Sequence, residues 1–407
     1  MRSYFTRERF GRLQWLAGSL LLAFLLQAVW LVHLELSAGH GLEVGEGSRI
    51  AEGLKQWHRQ GTAGAPYLES TPRFDDPESA DFDRQHSPLP YLVSTAPLLL
   101  WPQPLNADSA AYWLWLPRFP FLAVGVFLGA SLWYVARRLC GNTGGLIALS
   151  FYCFSPSLIQ ASATWHTEPE ILAVWGAFGA VFTAIAVAHT LYAPREVVLW
   201  NWRRIVLLGV SFAIAVGAQF SLVVVIPVAL ALLLYVAPVR KRAGAVIWIA
   251  SSSLAVLLLF SFYFFHPGAF ARSMGHADLW GASWAGFAVK GVYEHVAAQV
   301  SRSCPALIVA LPVAVATYAC WPRTRYFGNS APGLLALIFL FLGMAHPHVA
   351  GAGFLLAAIP FLFIFVAGVF ADLLETEYRT LVSAVIAGLL LAYVGWSVFN
   401  LAKVPPG

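Results

Sequence analysis

Apolar residues run through this chain in long unbroken stretches, not in the alternation of half-buried strands or the narrow stripes of soluble helices. About 20 apolar residues span a bilayer. Stretches near that length predict helices over 13–34, 116–136, 144–161, 171–191, 205–218, 222–236, 245–265, 305–321, 332–345, 353–370 and 380–401. The expected class is all-α, a polytopic membrane helical bundle of about eleven transmembrane helices with juxtamembrane helices on its outer surface, in a single domain over residues 1–407. The pair 205–218 and 222–236 is short and reads as bent around Gln219. No internal repeat is visible.

The first apolar run follows Arg2, Arg7, Arg9 and Arg12, as a signal peptide would. It is too long for the apolar core of one and has no A-x-A cleavage site after it, so it reads as a retained helix. The stretch 89–101 decides the topology. It is short and holds Pro90 and Pro97. If it spanned, Arg137–Arg138, Arg203–Arg204, Arg240–Arg242 and Arg323/Arg325 would all face outward, against the positive-inside rule. It is therefore expected to lie on the outer surface. Inner segments then carry 15 basic and 5 acidic residues and outer segments 10 and 15, which together make the chain's 25 and 20. The N-terminus is expected in the cytoplasm and the C-terminus outside, in a bacterial inner membrane. Two outer segments are long, 35–114 and 266–303. A chain that puts its length and its acids outside is expected to work there.

Composition agrees with this reading. Of 407 residues, 59% are hydrophobic and 11% charged, against about 25% charged in soluble domains. The mean hydropathy is +0.69. Cys140, Cys153, Cys304 and Cys320 show no metal-ligand spacing and read as small buried hydrophobes.

Four clusters carry candidate chemistry. Over 48–57, Ile50, Leu54 and Trp57 recur at helical spacing with Arg49, Glu52 and Lys55 opposite, which predicts an amphipathic helix on the membrane surface. Glu46 falls at its N-terminus, where the helix dipole favours a carboxylate; simple capping explains it equally. In Trp165-His166-Thr167-Glu168-Pro169-Glu170, the proline suits a first helical turn and sets Glu168 and Glu170 at the outer mouth of a span. His86, before the surface helix, with Arg49, suits a lipid phosphate at the interface. His346 and His348 stand two apart in an outer loop without a third metal ligand. The acids Asp75, Asp76, Glu78, Asp81 and Asp83 read as a solvated loop. Trp280, Trp284, Phe287 and Tyr293 suggest an interfacial anchor or a lid.

In order and spacing these motifs resemble the GT-C glycosyltransferases, the polyprenyl-phosphate-sugar-dependent group that includes protein O-mannosyltransferases and the lipid A aminoarabinose transferase. The family pattern D-E-x-R-Y-A-E is matched by Glu46-Gly47-Ser48-Arg49-Ile50-Ala51-Glu52, and K/H-P-P-L-Y-Y by His86-Ser87-Pro88-Leu89-Pro90-Tyr91. Arg118-Phe119-Pro120, Arg137-Arg138-Leu139-Cys140-Gly141, Ser155-Pro156 and Trp165-His166-Thr167-Glu168-Pro169 follow in the family's order. The likeness covers roughly 13–238, with an echo at Ile359-Pro360-Phe361. It departs in three ways. Both family aspartates are glutamates here, a family lysine is Gln219, and a family arginine is replaced in Gly353-Phe354-Leu355-Leu356-Ala357.

The resemblance implies inverting transfer of a sugar from a polyprenyl phosphate to an acceptor glycan, lipid or protein on the outer face. It implies Glu46 as general base, with Glu168 a second catalytic carboxylate. Arg49 and His86, with His346 and His348 in place of the lost cations, would bind the donor phosphate. His166 and Glu43 would orient acceptor or sugar. No cofactor or metal is called for, since the donor is already activated, and no nucleic-acid partner is expected. The rival expectations are a flippase of lipid-linked intermediates, or an inactive scaffold subunit of an envelope complex.

Overall fold

The structure, a computed structural model, describes residues 11–37, 44–58, 82–103, 105, 109–165, 170–192, 202–279, 283–345 and 353–403. Among them every regular element is a helix. The chain opens with α1 (Arg12–Ser37), α2 (Val44–His58) and α3 (Leu89–Thr95), the last prolonged by a 3-10 turn, Ala96–Leu100. Next come α4 (Trp115–Cys153), α5 (Pro156–Ala163), α6 (Glu170–Thr190) and α7 (Trp202–Ala218). A 3-10 turn, Phe220–Val224, leads into α8 (Val225–Val236), followed by α9 (Lys241–Phe262) and α10 (Pro267–His276). The remainder is α11 (Lys290–Ser303), α12 (Leu307–Cys320), α13 (Phe327–Ala345), α14 (Phe354–Leu373) and α15 (Arg379–Lys403).

All eleven segments expected from hydropathy are helical, but they are not eleven full-length spans. Among the described residues seven helices are long and apolar enough to cross a membrane, and eight if α11 and α12, bent by 105° at their junction, count as one. The others fall short for visible reasons. α7 has 17 residues and α12 has 14. The spans expected at 116–136 and 144–161 lie on two arms of one hairpin. Within α4, Gly141 takes φ +73 and ψ 179, and the helix reverses there. Tyr152 Oη donates to the Gly125 carbonyl at 2.5 Å. In a straight helix those residues would be about 40 Å apart at 1.5 Å per residue.

α14 is the axis of the bundle. It is buried without a break from Phe354 to Phe370, as a helix that is apolar all round must be. α4, α6 and α13 pack around it. The outer helices α1, α9 and α15 instead expose Leu22, Leu26, Val246, Ile249, Leu381 and Leu391. Apolar surface on that scale belongs in lipid.

The helix junctions sort into two ends. One carries Arg137, Arg138, Arg203, Arg204, Arg240, Lys241, Arg242, Arg323 and Arg325. There Tyr192 Oη reaches the Val236 carbonyl, and Arg323 pairs with Glu375 at 2.5 Å. The other end gathers the C-termini of α1 and α7 and the N-termini of α4 and α14, with the acids described below. Cys320 is exposed, unlike the buried role expected for it, while Cys153 and Cys304 are buried.

Candidate functional site

α2 forms as expected, but its acids are enclosed while Arg49 and Lys55 are half-buried. Glu46 and Glu52 are both 0% exposed. The cause is α3, which lies against it. A Cβ on Gly53 would fall 2.5 Å from the Tyr91 carbonyl oxygen, so the two backbones nearly touch there. Trp57 Nε1 donates to the Leu92 carbonyl, and its ring meets Phe264 edge-on. The stretch 89–101 therefore settles as a short helix under α2, with only Leu99 and Leu100 well exposed among its large apolar side chains.

Glu46 lies in the first turn of α2. Arg118, in the first turn of α4, grips it with two hydrogen bonds, Nε to Oε1 at 3.2 Å and Nη2 to Oε2 at 3.0 Å. The third guanidinium nitrogen, Nη1, holds Glu35 at the end of α1 at 2.7 Å. One cation thus ties together three helices through two carboxylates. Arg118 is itself 2% exposed. The fork geometry fixes the Glu46 carboxylate in orientation. One turn along α4, Phe121 stacks on Trp165 with centroids 5.2 Å apart.

A second polar cluster plugs the break between α7 and α8. His86 is buried, its Nδ1 facing Asp83 Oδ2 at 2.9 Å and its Nε2 facing Gln219 Oε1 at 3.1 Å. Tyr91 Oη donates to the same Asp83 carboxylate. Ser87 N–H and Oγ both donate to the Gly217 carbonyl, and Phe220 N–H donates to the Gln85 carbonyl. The segment 82–88 thereby satisfies backbone groups that the broken helix leaves open. Burial alone would raise the Asp83 carboxyl. The charge of His86 and hydrogen bonds from His86, Tyr91 and the Gln85 backbone outweigh it and hold the group well below the usual carboxylate range. Asp83 is therefore a partner in a buried network, not part of a solvated acidic loop. Gly353, with φ +77, starts α14 directly against Gln219, where a Cβ would come within 3.3 Å of its Cγ. Two positions that depart from the family pattern, Gln219 and Gly353, are thus neighbours in space.

The expected site residues fare unevenly. Glu46 and His86 both lie at the acidic end, in separate clusters on either side of the α2–α3 contact. Arg49 is half-buried on α2. Both ring nitrogens of His86 already face partners, so a donor phosphate would have to displace Asp83 or Gln219 to reach it. Glu43, His166, Glu168, His346 and His348 lie outside the described residues. Trp280 and the acids at 75, 76, 78 and 81 also lie outside them. Trp284 and Phe287 pack on Phe341 of α13, and Tyr293 Oη donates to the Phe287 carbonyl. No group of three His, Cys, Asp or Glu side chains among the described residues is arranged to hold a metal ion.

Four residues were not singled out as functional from sequence. Arg118 had a usable signal, a lone cation beginning an apolar span, which must find a counter-charge. Gln219 was marked by its polarity between two short apolar segments and Asp83 only as one of an acidic run, while Glu35 had no signal beyond lying near a helix end.

No family model matches the chain, and no curated protein does. Solved structures do. The Archaeoglobus fulgidus oligosaccharyltransferase, in a complex with Zn and sulfate, superposes with a TM-score of 0.56 at 10% identity, over 94% of this chain and 53% of that one. The same enzyme tethered to an acceptor peptide containing the NVT sequon gives 0.55 at 14% identity, over 98% and 55%. Archaeal oligosaccharyltransferase AglB with an inhibitory peptide and a dolichol-phosphate gives 0.52 at 12%, over 97% and 56%. The chain spans about half the length of these proteins. At such identities the likeness is one of fold. It supports the GT-C resemblance at that level and does not single out an O-mannosyltransferase or an aminoarabinose transferase.

Proposed function

We propose that this chain is a membrane glycosyltransferase of the GT-C type, moving a sugar from a polyprenyl phosphate to an acceptor at the acidic end of the bundle. The observation that carries the reading is a fold shared with an oligosaccharyltransferase over nearly the whole of this chain, with an oriented carboxylate at the end where lipid-linked substrate would meet acceptor. The positive-inside rule then sets the acidic end outside and the N-terminus in the cytoplasm.

Glu46 takes the proton of the acceptor hydroxyl. The acceptor oxygen attacks the sugar's anomeric carbon from the face opposite the phosphate. The carbon–oxygen bond to the phosphate breaks, its electron pair leaves with the polyprenyl phosphate, and the anomeric configuration inverts. Arg118 orients the base, as a bidentate partner does. Arg49 meets the charge that grows on the leaving phosphate, with His346 and His348 as its companions; Glu168, His166 and Glu43 orient sugar and acceptor. His86 acts with them only if its hold on Asp83 or Gln219 opens.

The test is turnover of a polyprenyl-phosphate sugar by purified wild type and Glu46→Gln, read by mass spectrometry. A general base contributes about 10²–10⁴-fold, so a loss of that size is expected, and wild-type-like turnover by the variant would remove Glu46 as the base. One observation favours a second reading, a scaffold subunit without transferase activity: Glu46 is wholly enclosed and both its oxygens are held. A wild-type protein that releases no sugar from any of a panel of lipid-linked donors would favour the scaffold.

A further inference from the structure

One helical turn before Gln219, α6 and α7 approach to backbone contact, where a Cβ on Gly176 would fall 2.4 Å from the Ala215 nitrogen. From there toward the basic end, α4, α6 and α7 enclose a cavity of about 630 Å³. It opens on the side of the bundle, since Phe127 and Tyr134 on its wall are more than half exposed. Its mid-bundle end is closed by Phe127 stacked on Trp175, whose Nε1 donates to Ser131 Oγ at 3.4 Å. Its other end is closed by Arg204, with Nη1 on the Ala186 carbonyl at 3.2 Å, and by Tyr134, which lies 5.5 Å beneath the Arg138 guanidinium.

The dimensions are those of one leaflet. Along α7 the lining runs from Arg204 to Ile214, about 15 Å at 1.5 Å per residue, which is half of a hydrocarbon core of about 30 Å. The wall is mostly aliphatic and aromatic, with Ser131, Thr183 and Ser211 its polar side chains besides Arg204, and suits an apolar occupant over water. A neighbouring helix, about 10 Å across, is one occupant of such a slot. A single hydrocarbon chain is the slimmer occupant, and two guanidiniums at the membrane-surface end call for a phosphate on it. Basic pockets between membrane helices on the cytoplasmic side hold anionic headgroups in this way.

We infer that this cavity binds an anionic phospholipid of the leaflet at the basic end, one acyl chain inside it and the phosphate on Arg204 and Arg138. The site needs only the membrane reading and is independent of the transferase reading. The experiment is native mass spectrometry of the full-length, delipidated protein titrated with phosphatidylglycerol and with phosphatidylcholine of the same acyl chains. Phosphatidylglycerol is expected to bind at least tenfold tighter. The Arg138→Gln/Arg204→Gln double variant should lose that preference. Ala130→Trp, which fills the cavity, should lower binding of both lipids. Arg240→Gln/Arg242→Gln, at the same end but off the cavity wall, should bind as wild type. Equal affinity for the two lipids, an unchanged preference in the Arg138/Arg204 variant, or unchanged binding by Ala130→Trp would each overturn the site, as would a second copy of the chain held there in place of lipid. The result does not depend on whether sugar transfer is detected.

Discussion

The two polar clusters at the acidic end are built on opposite plans. Around Arg118 the partners come from far apart in the chain, Glu35 and Glu46 lying 83 and 72 positions away, and a full charge on one helix binds carboxylates on two others. Around Asp83 the strongest contacts are local, to His86 and Tyr91 within eight positions, and the distant partners, Gln219 on His86 and the Gly217 and Phe220 backbone groups, are uncharged. The first arrangement joins spans. The second seats a loop into a helix break. Removing Arg118 takes a shared cation from two carboxylates at once, whereas removing Asp83 takes one acceptor from His86 and Tyr91 in a network whose distant members are uncharged. Energetic cost should therefore follow the plan of each cluster, not its burial, since both are buried.

The sharpest way to break this contrast is Arg118→Ala. Two carboxylates then lose their common cation, and breaking a buried pair costs about 3–5 kcal/mol. Thermal unfolding of the purified protein in detergent should fall steeply, and Arg118→Lys, a single point charge in place of a fork, should recover only part of it. A wild-type midpoint for Arg118→Ala would mean that the cluster does not join the spans. Asp83→Asn should cost less, about 1.5–3 kcal/mol for its hydrogen bonds to charged and polar donors. It should also change the acid response. The folded protein holds Asp83 below its ordinary value of 3.8, so its contribution is complete above about pH 4 and is lost as pH falls from there toward the lower native value. Unfolding midpoints of wild type and Asp83→Asn should converge below pH 4; parallel curves would exclude Asp83 as the source.

Between the clusters lies the α2–α3 contact. Gly53→Ala puts a methyl against the Tyr91 carbonyl, and overpacking of that kind costs about 1–3 kcal/mol. Because both clusters depend on α2 or α3, hydrogen exchange should quicken at Glu46 and at Tyr91 together; a change at one alone would show that the two are independent. The smallest effect is expected at the basic end. Arg323 and Glu375 pair while 57% and 63% exposed, and exposed pairs contribute about 0–1 kcal/mol. Arg323→Ala should leave the midpoint nearly unmoved, and a large drop would show that exposure is a poor guide in this bundle.

Much of the architecture is readable in the chain because lipid imposes a length and an apolarity on each span. Every segment marked by hydropathy is a helix, and the break at Gln219 follows from its polarity. What is not readable is who faces whom. Hydropathy ranks Leu391 and Leu356 alike, yet one is 72% exposed on α15 and the other is buried on α14. Glu52 lies on the polar side of its helical wheel, yet the close approach at Gly53 brings α3 over that helix and Glu52 ends up enclosed. The candidate site was legible in Glu46 and His86, whose positions follow from motif order. Their partners were not, because Arg118 and Gln219 reach them only through packing of helices 72 and 133 positions apart in the chain.

The reversal at Gly141 has a consequence for how the protein is made. With a single residue at the turn and the two arms joined by the bond from Tyr152 to Gly125, neither arm has slack to enter the bilayer alone. The arms are expected to leave the ribosome's insertion machinery as a pair, with little chain at the tip for a protease to grip. An epitope tag spliced in after Gly141 should therefore separate the arms during biogenesis.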